Sequence, residues 1–395
     1  MMETKELKKL AAGLEALAVF RPLLADPVLA ALKEYLDAPS AGRYAAFVAA
    51  LYEASGGDLG RHVLRLCEDS ANVYVRTVGA GQTPPACMAE ALAAELDCLQ
   101  RVADLGPDAL LAALPEAAAP LPRYEAGGVD LPGSYMHRAE NIHRYGYGVW
   151  AANRMFYLDE AGRITPVSHP DTTKLEDLVD YEAQRAIILR NTRALLEGKP
   201  AANILLTGDA GTGKSSAVKA IGNALFGEGL RIIEVRKDQL RAIPHVLDEL
   251  AANPLKFVLF IDDLSFLKDD DNYSALKAVL EGSVTAKSKN VVIYATSNRR
   301  HIIKEKFSDR EGDEVHRNDT MQELVSLSER FGIHITFSKP DKATFLHIVR
   351  HLAAAGGVQL PADELERRAE RYALERGGRS ARLARQFVDG LLAGM

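Results

Sequence analysis

The sequence predicts an α/β fold: a doubly wound parallel sheet of five strands with a helical lid after it and an all-α amino-terminal domain before it. Three observations support this fold class. Five short apolar runs alternate with helical segments after residue 172, as in sheets covered by helices on both faces. A glycine-rich stretch separates the first of these runs from a helix. Leucines recur at helical spacing through the first 115 residues.

The composition is that of a folded protein with more than one domain. The 395 residues are 47% hydrophobic and 26% charged, and at about 150 residues per domain this length predicts two or three domains. Residues 1–170 carry 15 basic and 21 acidic side chains, a net charge of −6, whereas residues 171–395 carry 33 of each. The overall charge therefore lacks the basic excess typical of proteins that bind nucleic acid through its phosphates.

Several classes of protein are excluded by simple patterns. The three cysteines form no Cys-x-x-Cys pair, which argues against a zinc site or a disulfide scaffold, and we interpret them as buried thiols of a reducing compartment. The segment Met1–Leu10 mixes lysines with glutamates, unlike a signal peptide. No stretch approaches the roughly 18 apolar residues of a membrane helix. We expect a cytoplasmic protein without a membrane partner.

Changes in residue composition and spacing along the chain predict its domains. Leu7, Leu10, Leu14 and Leu17 show the rhythm of helices that pack one face inward. Two apolar runs around a glycine-bearing turn at Gly162 predict a β-hairpin. The predicted domains are a helical domain (1–130), an aromatic-rich linker with this hairpin (131–172), the α/β domain (173–338) and the lid (339–395).

The α/β domain is predicted from its nearly continuous apolar runs, which are typical of strands buried on both faces. The predicted strands are Asn203–Thr207, Arg231–Val235, Phe257–Ile261, Asn290–Ser297 and Ile333–Phe337.

The glycine-rich stretch is the strongest chemical signal. It matches G-x-x-x-x-G-K-[ST] between a strand and a helix, which predicts a loop whose backbone N–H groups surround the phosphates of ATP. Lys214 would neutralise the β- and γ-phosphates, and the Ser215 hydroxyl would bind Mg²⁺. A plain glycine turn is the alternative. The predicted nucleotide-binding residues are Gly208, Asp209, Ala210, Gly211, Thr212, Gly213, Lys214, Ser215 and Ser216.

A pair of acids ends the strand Phe257–Ile261. Two adjacent carboxylates at a sheet end are costly unless a cation lies near them. Asp262 is therefore predicted to hold Mg²⁺ with Ser215, and Asp263 to polarise the water that attacks the γ-phosphate. The alternative is a pair of aspartates that caps a helix.

Together these motifs resemble the AAA+ ATPases and, more narrowly, an uncharacterised bacterial AAA+ family known as a domain of unknown function, with features of the initiator and helicase-loader branch. The resemblance covers roughly residues 140–395. It depends on four segments, which are Gly208–Ser215, Asp262–Phe266, Ala295–His301 and Leu327–Gly332.

The resemblance implies further site residues. Asn298 matches the sensor-1 residue that holds the attacking water, although it is also placed to cap a turn. Arg330 matches the arginine finger that reaches nucleotide on a neighbouring subunit of a homo-oligomeric ring; a surface ion pair with Glu329 or Asp319 is the alternative. Arg382 matches sensor 2, with Arg379 in reserve. The segment Leu175–Tyr181 resembles the lining of the adenine pocket.

The sequence departs from the AAA+ pattern at three places. Asp263 stands where Glu is usual, which predicts slow hydrolysis. The segment Lys237–Ile243 replaces the aromatic-apolar-glycine loop that grips polypeptides, which argues against an unfoldase. Asp180 stands where Gly is usual before the adenine-proximal residues.

The sequence thus predicts an ATPase: a Mg-ATP-binding and hydrolysing AAA+ motor or switch that remodels or loads an unidentified macromolecular client. A protein client would bind through the helical amino-terminal domain. One alternative is a nucleic-acid loader; another is a non-cycling nucleotide-dependent scaffold. The loader is favoured by a basic run, which solvated loop charge also explains. The run comprises Arg299, Arg300, His301, Lys304 and Lys306, with Lys287 and Lys289 before the preceding strand.

Overall fold

The computed structural model describes residues 4–114, 121–265, 271–281, 289–298 and 329–394. The chain divides into two compact units. The first comprises residues 1–152 and 253–255, and the second comprises residues 153–252 and 256–395. The finer division into four domains stays a prediction.

The described part of the first unit is built from helices, which pack around a core that includes Leu7, Leu14, Leu32 and Leu51. Polar side chains begin several of them; for example, Asp26 accepts hydrogen bonds from two amides of the first turn of α2, as N-cap residues do. The helices are α1 (Thr4–Glu15), α2 (Pro27–Asp37), α3 (Ala41–Ser55), α4 (Leu59–Glu68), α5 (Val73–Gly79), α6 (Ala86–Ala103), α7 (Pro107–Leu111), α8 (Leu131–Glu140), α9 (Ile142–Tyr145) and α10 (Val149–Ala152).

Two buried polar side chains of the first unit, Glu95 and His62, have hydrogen-bond partners within it. The Glu95 carboxylate on α6 accepts hydrogen bonds from the backbone N–H groups of Ala18, Val19 and Phe20 at 2.8, 3.0 and 2.8 Å. His62 Nε2 lies 3.0 Å from Asp26 Oδ1. Of the three cysteines, Cys67 and Cys98 are buried, but Cys87 is exposed because it lies in the first turn of α6 on the solvent side. The prediction of three buried thiols is therefore wrong at that position.

The second unit contains a mainly parallel sheet in the order β2-β1-β4-β5-β6-β3-β7. The five predicted strands are present as β3 to β7, with ends that differ by at most one residue from prediction. The strands are β1 (Met155–Leu158), β2 (Ile164–Pro166), β3 (Ile204–Gly208), β4 (Leu230–Glu234), β5 (Lys256–Ile261), β6 (Val291–Ser297) and β7 (Ile333–Phe337).

The predicted strand count of five is wrong, because the described sheet has seven strands. Strands β1 and β2 form the predicted antiparallel hairpin. However, β1 also pairs in parallel with β4, with Met155 opposite Ile232. The hairpin thereby covers backbone groups of β4 that an edge strand would leave unpaired, and it is part of the sheet.

Helices flank the sheet and form the lid. The lid has its own small core, which includes Phe345, Val349, Ala369 and Phe387. None of the helices that the structure describes combines the length and apolar character that crossing a membrane requires. The helices among the described residues of this unit are α11 (Glu182–Leu196), α12 (Lys214–Leu225), α13 (Ile243–Leu250), α14 (Asp271–Glu281) and, in the lid, α15 (Lys342–Gly356), α16 (Ala362–Glu375) and α17 (Ala381–Leu392).

Candidate nucleotide-binding site

The carboxyl ends of β3, β5 and β6 meet at one edge of the sheet, where the strands continue into the predicted motifs. A cavity of about 530 Å³ opens at this edge. Ligands of doubly wound sheets bind in this position, and the volume is within the usual range of ligand pockets. Among the residues that line the cavity are Lys214, Ser215, Asp262, Asp263 and Asn298.

The loop after β3 depends on its glycines. Gly208, Gly211 and Gly213 have φ angles of 135°, 78° and 90°, in the region that side chains disfavour. A Cβ atom on Gly208 would overlap the carbonyl oxygen of Phe337 on the neighbouring strand β7. The backbone of the loop therefore needs these glycines in order to turn from β3 into α12.

Lys214 is the buried cation of the site, with 5% of its surface exposed. Its Nζ donates hydrogen bonds to the carbonyl oxygens of Gly208 (2.9 Å) and Asp209 (2.7 Å) and to Asn298 Oδ1 (3.0 Å). Burial lowers the pKa of Lys214, against the effect of nearby carboxylates such as Asp209. An anion in the cavity would compensate this burial of positive charge.

The two acids after β5 are fixed by hydrogen bonds. Asp262 Oδ1 accepts from Ser215 Oγ at 2.6 Å and from Thr296 Oγ1 at 2.5 Å. Asp263 accepts from Asn298 Nδ2 at 2.7 Å, and its backbone N–H donates to Thr296 Oγ1 at 2.9 Å. Asp263 has a φ of 52°, which is rare outside glycine. The structure thus brings the predicted acids together with the predicted serine and asparagine.

The donor atoms fit a magnesium ion. Ser215 Oγ and the Asp262 carboxylate are adjacent oxygen ligands, the type that Mg²⁺ prefers. Among the described residues there is no group of three or more His, Cys, Asp or Glu side chains that could hold a metal. Mg²⁺ bound with a nucleotide needs only one or two carboxylates, since phosphates and water supply its other ligands.

The other predicted loop residues divide into two sets. Thr212 and Ser216 line the cavity with Gly211 and Gly213. The carbonyl oxygens of Gly208 and Asp209 instead accept hydrogen bonds from Lys214 Nζ. Ala210 lies between the two sets in the chain and is not among the cavity-lining residues.

The lid contributes one of the two arginines considered for sensor 2. Arg382 lines the cavity, and its backbone N–H donates to the carbonyl oxygen of Gly211 at 3.1 Å. Arg379 instead donates twice to the Glu370 carboxylate, at 2.8 and 2.7 Å. Arg382 is therefore the arginine that lies next to the glycine loop.

Arg330 lies outside the group that lines the cavity and forms an ion pair with Glu281 on α14. Its role at a neighbouring subunit stays a prediction. The basic run Arg299, Arg300, His301, Lys304 and Lys306, together with Lys287, lies outside the described residues.

The cavity also has apolar lining residues. Leu178, Val179 and Tyr181 come from the segment before α11, and Phe337, Ile348 and Leu352 come from β7 and α15.

Two consecutive residues of this segment, Asp180 and Tyr181, have positive φ values of 60° and 63°. A positive φ at position 180 is a conformation that glycine adopts most easily. Burial raises the pKa of Tyr181 to about 12, so its hydroxyl stays protonated and donates to the Ser338 carbonyl oxygen at 2.6 Å.

Sequence reasoning missed three polar residues of the site, which are Thr296, Arg185 and Arg385. Thr296 had a signal in the sequence, because it lies on β6 two residues before Asn298, which directly follows the strand. Side chains two residues apart on a strand point to the same face. The two arginines have no comparable local signal.

Comparison with known proteins finds no match among curated proteins. Among solved structures, this chain is similar to the RuvB Holliday junction branch migration motor of Thermotoga maritima, with 17% identity and a TM-score of 0.37. That match covers 55% of this chain and 63% of RuvB, so this chain spans less than two thirds of RuvB.

Two other solved structures are similar. One is the AAA domain of FIGL-1 in complex with ADP, with 16% identity, a TM-score of 0.39 and coverage of 57% of this chain and 74% of that chain. The other is the HORMA:CdnC:Trip13 complex of E. coli MS115-1, with 14% identity, a TM-score of 0.38 and coverage of 56% and 93%.

A family model described as "Protein of unknown function (DUF815)" matches residues 151–395. This range contains every residue of the site described above. The predicted resemblance to a family known as a domain of unknown function is therefore confirmed, and the chain belongs to this family.

Proposed function

We propose that this protein is an AAA+ ATPase, a motor or switch that binds Mg-ATP and hydrolyses it to ADP and phosphate. One observation carries the proposal: a cation, a hydroxyl, two carboxylates and an amide converge on a single cavity at the carboxyl ends of three parallel strands. These groups belong to Lys214, Ser215, Asp262, Asp263 and Asn298.

Binding follows from the glycine loop and the start of α12. Backbone N–H groups of the loop and the amino-terminal end of the helix favour the phosphates, and Lys214 adds a positive charge. Ser215 and Asp262 would hold Mg²⁺, which neutralises phosphate charge when it is bound. Apolar residues that line the cavity, such as Val179 and Ile348, would accept the adenine ring.

Hydrolysis requires a positioned water. Asp263 accepts a hydrogen bond from Asn298, so the carboxylate is held in place to polarise a water molecule. The oxygen of this water attacks the γ-phosphorus, and the bond from the γ-phosphorus to the bridging oxygen of ADP breaks. Lys214 offsets the negative charge that develops on the phosphate oxygens. Asp263 is one methylene shorter than the usual glutamate, and we therefore expect a slow reaction.

The proposal includes a homo-oligomer in which Arg330 of one subunit acts at the nucleotide of its neighbour, and a macromolecular client bound through the first unit. Mixing inactive Arg330→Ala and Lys214→Ala subunits would restore part of the activity if the sites are shared. No recovery under conditions of subunit exchange would contradict this arrangement.

The ATPase proposal is tested with two variants and a matched control. Lys214→Ala removes the buried cation, and we expect nucleotide affinity to fall by at least about 100-fold, since hydrogen bonds to charged groups contribute about 1.5–3 kcal/mol each. Asp263→Asn retains an acceptor for Asn298, so binding persists and turnover stops. The control is Lys219→Ala on the same helix, whose amine lies 3.9 Å from Glu234. Titration calorimetry and phosphate release measure the two effects. Hydrolysis at the parental rate by both site variants would refute the proposal.

A further inference from the structure

Thr296 connects the two acids of the site through one hydroxyl group. It lies on β6, with 2% of its surface exposed. Its Oγ1 lies 2.5 Å from Asp262 Oδ1 and 2.9 Å from the backbone nitrogen of Asp263. Since the backbone N–H of Asp263 can only donate, the hydroxyl accepts from it and donates its own hydrogen to Asp262.

We infer that Thr296 is a positioning residue of this site, whose hydroxyl sets the orientation of both the metal-binding and the water-polarising carboxylate. This inference rests on the proposed function, because it assigns Thr296 a role in the same reaction. Neither the glycine-loop motif nor the acid pair points to a threonine on another strand.

The orientation of Asp262 follows from the hydrogen bonds to one of its oxygens. Oδ1 accepts from Ser215 and Thr296 and, at 3.2 Å, from the Asp263 backbone. Oδ2 accepts no hydrogen bond from the residues that the structure describes. The carboxylate lines the cavity, so the bonds to Oδ1 leave Oδ2 available to a cation.

The conformation of Asp263 depends on Thr296 as well. A φ of 52° is unfavourable for an aspartate, and such angles persist only where surrounding contacts impose them. The bond from the Asp263 N–H to Thr296 is one such contact, and the bond from the next amide, Leu264 N, to the Thr296 carbonyl oxygen at 2.7 Å is another. Together they hold the turn that presents the Asp263 side chain to Asn298.

The simpler explanation is that Thr296 is a buried hydroxyl that contributes only to stability. Thr296→Val separates the two, because valine keeps the branched shape and removes the hydroxyl. Thr296→Ala removes it too and serves if the valine variant does not fold. Thr296→Ser keeps the hydroxyl. The matched control is Thr192→Val, which removes a buried hydroxyl that lies 2.8 Å from both the Ile188 carbonyl oxygen and Tyr294 Oη, away from the acids.

Two readouts are measured on the full chain: kcat for ATP, and the Mg²⁺ concentration that half-saturates binding of a fluorescent, non-hydrolysable ATP analogue. We expect Thr296→Val to lower kcat by about 10- to 100-fold, the usual effect of losing a group that orients metal ligands, and to raise the half-saturating Mg²⁺ concentration. Affinity for the analogue without Mg²⁺ should stay close to parental, because Thr296 acts on the metal ligand. Thr296→Ser should restore both readouts, and Thr192→Val should change neither.

Parental kcat and parental Mg²⁺ dependence in Thr296→Val or Thr296→Ala would overturn the inference, and so would an equal loss in Thr192→Val. Failure of the proposed function is distinguishable, since it appears as a lack of turnover in the parental protein. In that case the Mg²⁺ titration of analogue binding still decides the role of Thr296.

Discussion

Glu95 in the first unit and Lys214 in the second are both buried charges, with 8% and 5% of their surfaces exposed. The Glu95 carboxylate accepts hydrogen bonds from three consecutive backbone N–H groups, those of Ala18 to Phe20. Its charge is therefore compensated within the protein. Lys214 also has three partners, but it lines a cavity of about 530 Å³. A buried charge therefore indicates a ligand site only when it also faces a space that a ligand can enter.

Among the variants that test this contrast between the two buried charges, Glu95→Gln is expected to have the largest effect. The glutamine amide cannot accept a hydrogen bond through its nitrogen, so one buried backbone N–H loses a charged acceptor. We expect the free energy of unfolding to fall by about 2–3 kcal/mol, with nucleotide affinity unchanged. Urea unfolding and titration calorimetry measure the two quantities.

The control for this change is Glu90→Gln, the same substitution at an exposed position of α6. It should leave stability within about 0.5 kcal/mol of parental. If Glu95→Gln lowered nucleotide affinity without lowering stability, this result would contradict the conclusion that the Glu95 charge stabilises the fold and does not serve a ligand site.

The two lid arginines allow a second comparison, between a charge that lines the cavity and a charge that is paired within the protein. Arg382→Ala removes a cation that lines the cavity, and we expect ATP turnover to fall at least about tenfold, equivalent to about 1.4 kcal/mol of barrier. Arg379→Ala breaks a two-fold pairing with Glu370. Because that pair is near the surface, where solvent screens ion pairs, stability should fall only slightly, with turnover unchanged. If both variants lost turnover equally, the prediction that only the cavity-lining arginine contributes to turnover would be wrong.

The smallest effect is expected at Asp26, and it depends on pH. Burial raises the pKa of the Asp26 carboxyl, but hydrogen bonds from His62 and from the amides of Leu29 and Val28 outweigh burial and bring the pKa below its usual 3.8. The ionised form thus stabilises the fold above pH 3.8, and this contribution is lost as the pH falls below that value. Asp26→Asn keeps the helix cap and should cost about 1 kcal/mol at pH 7. The difference in melting temperature between parental protein and variant should shrink from pH 5 to pH 3, and a constant difference would contradict this assignment.

Local patterns were enough to predict much of the fold and the site. The five strands β3 to β7 and the approach of Lys214, Asp262 and Asn298 follow from apolar runs that end in polar motifs at one sheet edge. The strand count was wrong because the pairing of Met155 with Ile232 joins segments far apart in the chain, which periodicity does not report. Thr296 was missed because its hydroxyl acquires a role only through contacts with another strand.

The contacts of Gly211 couple the position of the glycine loop to that of α17. Its carbonyl oxygen accepts the Arg382 N–H, and a Cβ atom at this position would come within 3.0 Å of Arg382 Cβ and 3.1 Å of Ser380 Oγ. The first turn of α17 therefore contacts the glycine loop directly, and displacing either one would break the hydrogen bond between them. Since such coupling is reciprocal, a ligand that moved the loop would also move α17, and a displacement of α17 would change the affinity for that ligand by the same free energy.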